Sequence, residues 1–332
     1  MIHDANNETI GDKIIEFLIR ENGNTRFSIA FLPYCFEMWD CMESVYLSAT
    51  KHGLDTAVFP IPYFTLKDGR INEWVYDYWK FEGEVDEKDL FDFNKYFEVM
   101  DEIDYVVIHN PYDDGNNLTT VHPFFYSNVL KEQGKKIIFI PYGIPCGGVS
   151  NDAMRLQKGA YNADYIFVNG EEERKAFIET FKKVGVDMTK RCYNFGSPKL
   201  DAIYKEYKMP LSWRKKIYKK VTLVCTSLII FMRDDPAKRI QKYRQIIDNE
   251  LNKGNMVIFR PHPLMDDMIK TKFDEGIYDS WRELLIYVDE KAILDLNNEL
   301  GMSMQFSDYL ISDPSSIVEM WKETGKKYEV IG

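Results

Sequence analysis

Residues 310–321 read LISDPSSIVEMW. Leu310 and Ile311 read as the end of a buried strand that stops at Ser312. A helix begins at once, with Ile317, Val318, Met320 and Trp321 as its buried stripe. Asp313 reads as the cap, with Pro314 at the first helical position. Ser315 and Ser316 then add two hydroxyls to the first turn. They serve either as spare capping groups or as donors to an anion, which the positive end of a helix favours.

A strand running straight into a helix is half of a βαβ unit, and the rest of the chain repeats the pattern. Strands are expected at Phe27–Leu32, Thr56–Pro60, Tyr105–Ile108, Lys136–Ile140 and Tyr165–Val168. Helices are expected at Glu37–His52, Pro123–Gln133, Ala153–Tyr161 and Glu171–Lys183. A polar, aromatic-rich stretch, Tyr63–Asp92, receives no assignment. The charged, aromatic segment Ile203–Lys220 reads as a crossing between domains. A second series follows, with strands at Val221–Cys225, Met256–Phe259, Ala292–Leu294 and Tyr309–Ile311. Its helices are Lys238–Leu251, Pro263–Phe273 and Ser315–Glu323. Such alternation predicts an α/β protein of two Rossmann-like domains, 1–205 and 206–332, facing one cleft. A length of 332 residues agrees with two cores.

The net charge of −11 argues against general nucleic-acid binding, which needs a basic face. The five cysteines form no CxxC pair and are odd in number, which fits reduced thiols in a cytoplasm. The N-terminus lacks an apolar signal core, and no apolar run is long enough to span a bilayer. Ile14–Ile19 reads as an amphipathic helix against the domain or a lipid surface, packing on the domain being the commoner case.

Ligands of doubly wound sheets bind beyond the carboxyl ends of strands, and three polar clusters fall there. Arg260-Pro261-His262-Pro263 follows the strand MVIF. Arg260 can contact a phosphate in bidentate fashion, and His262, between two prolines, can donate to a phosphate or act as an acid. The plain alternative is a turn with a hydrogen-bonded His and a surface Arg. The serine pair of the opening stretch is the second cluster. The third is His109-Asn110-Pro111-Tyr112-Asp113-Asp114-Gly115, with His122-Pro123 soon after. Either His is a candidate base for an acceptor hydroxyl, and ordinary turn chemistry is the alternative. Metal sites, P-loops, GxGxxG and GxSxG motifs are not found, so no metal and no cofactor are expected.

Taken together, Arg260-Pro261-His262-Pro263 and the segment Ser307–Ser316 resemble the R-x-H-P and S-D-x-x-I-S-D-x-S-S motifs of the CDP-glycerol glycerophosphotransferase family of teichoic-acid synthesis. Gly196-Ser197-Pro198-Lys199-Leu200-Asp201 resembles its G-x-P-[RK]-x-D motif. The resemblance implies a GT-B arrangement, a CDP-alcohol bound by the C-terminal domain, and phosphoalcohol transfer to an acceptor hydroxyl as CMP leaves. It implies Arg260 and His262 on the donor phosphates, with Ser312, Ser315 and Ser316 seating them. Where relatives carry H-G-T-P-L-K, this chain reads Pro141-Tyr142-Gly143-Ile144-Pro145, so the base falls to His122 or His109. The acceptor side is then assigned Tyr142, Gly143, Asp113, Ser197 and Lys199. The chain stops at Tyr328–Gly332, where relatives continue, so the second domain reads either as short or as truncated. The implied acceptor is a polyol phosphate or glycan, lipid-linked in one reading. Peripheral contact at the inner face of the plasma membrane would accompany it. Alternatives are a GT-B enzyme using a nucleotide sugar and a non-catalytic nucleotide- or polymer-binding relative.

Overall fold

The computed structural model describes residues 8–217, 219–297 and 299–332. Two compact units divide the chain, Met1–Asp201 and Ala202–Gly332.

The strands of the first unit are β1 (Ser28–Phe31), β2 (Asp55–Val58), β3 (Tyr63–Lys67), β4 (Arg70–Val75), β5 (Tyr105–Ile108), β6 (Thr119–Val121), β7 (Lys136–Phe139), β8 (Tyr165–Val168) and β9 (Cys192–Asn194). Among the described residues, six form a parallel sheet in the order β2-β1-β5-β7-β8-β9. Both faces are covered, so the central strands read as continuous apolar runs. Along β5, Val106 and Ile108 enter one core while Tyr105 and Val107 enter the other. Ile137 and Phe139 of β7 alternate with Ile138 and Ile140 in the same way.

The unassigned stretch after β2 holds an antiparallel sheet, β4-β3-β6. Its hairpin turns on Asp68-Gly69, where Lys67 pairs with Arg70 and φ is 51° and 72°. Asp-Gly is a favoured pair for such a two-residue turn, so the signal was present in the sequence.

The N-terminal helix, Ile10–Glu21, opens with a capping box of Thr9 and Asp12 and buries Ile14, Ile15 and Leu18. Gly11 sits against the backbone of the helix Glu43–Lys51. A Cβ there would lie 2.2 Å from the Ser44 carbonyl oxygen.

The second unit adds β10 (Val221–Cys225), β11 (Met256–Arg260), β12 (Ile293–Leu294), β13 (Tyr309–Ser312) and β14 (Lys327–Val330). They form a parallel sheet in the order β12-β11-β10-β13-β14. The segment read as a crossing contains secondary structure of its own. The helix Leu211–Arg214 buries Trp213. Helices that the sequence pattern did not yield include Leu228–Arg233 and Glu275–Lys291. The second opens on Asp274, which caps Ile277, and buries Trp281, Leu284 and Val288.

Replacement Gly11→Ala should push the two N-terminal helices apart. A cost of about 1–3 kcal/mol is expected, read as a lower urea midpoint.

Candidate active site

In the second unit β10 lies between β11 and β13. Cys225 is in register with Arg260 on one side and Ser312 on the other, so three carboxyl ends stand level. The loops beyond them carry the phosphate-binding candidates. His262 is held at two points. Its backbone N–H donates to Thr226 Oγ1 at 3.0 Å, and its ring Nδ1 accepts from the Leu264 N–H at 3.2 Å. With Nδ1 accepting, the neutral ring carries its proton on Nε2, which is then a donor.

Ser315, in extended backbone, stands at the N-cap of the helix Ser316–Glu323. Its hydroxyl makes no capping bond and lies 3.4 Å from Ser312 Oγ. The Ser315 hydroxyl thus pairs with Ser312, and the Ser316 hydroxyl has no hydrogen-bond partner among the described residues. Asp313 is not the cap that the sequence suggests. The helix opens two residues later, and the Asp313 carboxylate turns into the core, fully buried. It accepts from the Ser227 N–H at 2.9 Å, Tyr243 OH at 2.5 Å and Arg239 Nη1 at 3.2 Å. Burial raises its pKa above the ordinary aspartate range. Ser312 is likewise buried, and its hydroxyl donates to the Asp313 carbonyl.

Arg260 departs from its expected role as an exposed phosphate clamp. Its side chain is only 7 % exposed and Nη1 lies 2.6 Å from Asp295 Oδ2. Asp295 is buried and also accepts from Ser303 Oγ and the Asn297 N–H. The pair ties the end of β11 to the loop after β12.

In the first unit His109 and Tyr142 follow the neighbouring strands β5 and β7, with ring centroids 6.3 Å apart. His109 is fully buried, so no substrate reaches it and it does not serve as the base. Its ring stacks on Tyr34 and Nε2 accepts the Tyr34 N–H at 3.2 Å. Burial, with Lys199 nearby, pushes its pKa down to about 3, which keeps it neutral. Tyr142 OH meets Tyr112 OH at 3.1 Å, and burial raises its pKa far above neutrality. Gly143 beside it faces open space.

Asp113 and the GSPKLD residues turn inward instead of lining an acceptor surface. Asp113 is buried, with φ of 49°, and accepts from Ser127 Oγ at 2.6 Å and the Ser127 N–H at 3.1 Å. It thereby caps the helix Ser127–Glu132 from a distance. Ser197 is buried, and its N–H donates to Asn169 Oδ1 at 3.2 Å. Lys199 is ion-paired with Asp40 at 2.9 Å. Asp201 accepts from the Ile10 and Gly11 N–H groups at 3.0 and 3.1 Å, sealing the start of the N-terminal helix. The motif thus staples the two ends of the first unit together.

His122 lies elsewhere, directly after β6 on the small sheet. Its Nδ1 accepts from the Phe124 N–H at 3.3 Å, and Phe64, Trp74 and Phe125 surround the ring. The proton of the neutral ring therefore sits on Nε2, whereas a base acting through Nε2 needs it on Nδ1.

Two α/β units, each with a parallel sheet and loops beyond its strand ends, give the composition of a GT-B fold. A family model described as CDP-Glycerol:Poly(glycerophosphate) glycerophosphotransferase matches residues 78–321, and the chain belongs to that family. It is an enzyme of the CDP-glycerol:poly(glycerophosphate) glycerophosphotransferase type, with a CDP-glycerol donor and a polymer acceptor. Comparison with curated proteins finds no match.

Among solved structures, a putative UDP-N-acetylglucosamine 2-epimerase from Listeria monocytogenes is 11% identical. It has a TM-score of 0.59 and an alignment covering 92% of this chain and 78% of that one. The UDP-GlcNAc 2-epimerase from Neisseria meningitidis bound to UDP-GlcNAc is 14% identical, with TM-score 0.57 and coverage of 92% and 82%. The wall teichoic acid polymerase TagF is 14% identical, with TM-score 0.48 and coverage of 96% and 72%. The epimerases share the fold. No described helix is long and apolar enough to cross a membrane.

Three outcomes follow from the buried groups. Arg239→Ala leaves the Asp313 charge buried without its cation and should cost about 3–5 kcal/mol. Tyr243→Phe should cost about 1–3 kcal/mol, both read by chemical denaturation. His109 stays neutral in the fold down to about pH 3, whereas the unfolded chain protonates it near 6.5. Protons bound only by the unfolded chain lower stability as pH falls through that window. His109→Gln, which keeps an acceptor for Tyr34, should abolish this loss, about 2 kcal/mol by pH 5.

Proposed function

We propose that the unit Ala202–Gly332 binds the donor pyrophosphate through His262, Ser315 and Ser316, and that the unit Met1–Asp201 receives the acceptor. One observation carries the reading. His262, Ser315 and Ser316 stand just beyond two strands that flank β10, in register at Cys225.

An acceptor oxygen attacks the phosphorus that bears glycerol. A new P–O bond forms, the pyrophosphate bridge to CMP breaks, and the acceptor's proton passes to water. Negative charge grows on the departing phosphate. Fixed N–H and O–H donors stabilise it there more than in the ground state. Arg260 and Ser312 support the site from beneath by holding the strand ends. Tyr142 and Gly143 form an accessible turn on the acceptor side, while Lys199, Ser197 and Asp113 keep that unit in shape. A lipid-linked acceptor would bring the enzyme to the cytoplasmic face of the membrane as a peripheral protein.

Calorimetry with CDP-glycerol, CDP-ribitol and UDP- and GDP-sugars tests the donor. A cytidine nucleotide should bind at least about tenfold tighter. Equal or tighter binding of a uridine or guanosine nucleotide overturns the reading. His262→Ala should lower kcat about 10²–10³-fold, and a variant as active as wild type removes His262 from the mechanism.

A further inference from the structure

The sequence places a His-Pro pair after a strand twice, at His122-Pro123 and at His262-Pro263. The structure gives both the same local form. In each, ring Nδ1 accepts the backbone N–H two residues on, from Phe124 at 3.3 Å and from Leu264 at 3.2 Å. Proline between them is what makes the turn rigid, because it fixes φ and supplies no competing N–H. An imidazole wired this way presents Nε2–H outward.

For His122 the surroundings say what that donor is for. Nε2 has no hydrogen-bond partner among the described residues, and the ring is half-buried. No carboxylate stands at Nδ1 to hold the opposite tautomer, as a general base acting through Nε2 would need. Trp74 lies edge-on at 6.3 Å and is 46% exposed, and Phe64 lies at 6.2 Å. The result is one aimed N–H beside an exposed aromatic face, the usual makeup of a site that orients a ligand with one polar contact and one flat surface.

We propose that His122 and Trp74 form a subsite for the acceptor chain, in which the Nε2–H of His122 donates to a phosphate oxygen of the polyol phosphate and Trp74 packs against its carbon backbone. His122 is then a binding and orienting group and takes no proton from the attacking hydroxyl. The subsite rests on the proposed phosphoalcohol transfer for the identity of its ligand.

The two amide replacements separate the roles. The Gln amide nitrogen reaches the place of ring Nε2 and the Asn amide only that of Nδ1. With a short glycerol phosphate oligomer as acceptor, His122→Asn and His122→Ala should raise the acceptor KM about tenfold to a hundredfold with kcat changing less. His122→Gln should stay within about threefold of wild type. Trp74→Ala should raise the same KM. A collapse of kcat in all three His122 variants alike, Gln included, makes His122 a base and overturns the proposal. CDP-glycerol binding, measured on each variant by calorimetry, should be unchanged and shows that the variants fold. Failure of the wild-type enzyme to bind CDP-glycerol instead sinks the donor reading. Nitrogen-15 NMR of the wild-type ring then still decides the subsite, since a proton on Nδ1 refutes it and one on Nε2 supports it.

Discussion

The second unit depends on one buried charge. Asp313 stands at the end of β13 with no solvent contact, so its carboxylate is tolerable only while its three donors stay in place. Those donors come from the loop after β10 and from the helix Pro236–Asn252. Holding them fixes the path of Thr226-Ser227, and Thr226 in turn anchors the backbone of His262. Asp308 does the same at the other end of the sheet, accepting from the Val221 N–H at 2.9 Å where β10 begins. The two aspartates of one motif therefore bracket β13 and clamp its neighbour at both ends. Arg260 and Asp295 add a second buried pair on the other flank. In the proposed function, donors on such a floor would be oriented before a phosphate arrives, which is how positioning lowers a barrier.

The histidines show how little separates a base from a donor. His262 and His122 both surrender Nδ1 to a backbone N–H, which settles the neutral ring's proton on Nε2. His109 shows the opposite arrangement, with Nε2 accepting from Tyr34, yet it is sealed inside the core. Neither of the two candidate bases of the first unit, His109 and His122, is thus a solvent-facing imidazole held in the base tautomer.

Much of the framework was legible because parallel sheets covered on both faces make their strands apolar from end to end. Tyr105–Ile108, Val221–Cys225 and the helix Glu171–Lys183 lie where their residue patterns place them. The antiparallel hairpin was hidden because β4 is exposed along most of its length and carries no alternating apolar pattern. Only the Asp-Gly turn betrays it. The helix Glu275–Lys291 was readable from Asp274 and from Ile277, Trp281, Leu284 and Val288, and lay unread between two recognised elements. Around the site, residue type pointed to the right neighbourhood and misjudged direction. Arg260, Asp113 and Lys199 all look like ligand contacts in the sequence, and all turn inward to opposite charges or helix ends.

What the sequence determined by itself was the alternation of strands and helices, the family and the strand ends at which its motifs stand. These follow from periodicity and from short local patterns, which depend only on neighbours in the chain. Which side chains face outward was decided by tertiary structure alone. Asp313 finds Arg239 and Tyr243, Arg260 finds Asp295, and Asp201 finds Ile10 across nearly the whole first unit. A buried charge takes whatever partner the fold brings to it, and no local pattern names that partner.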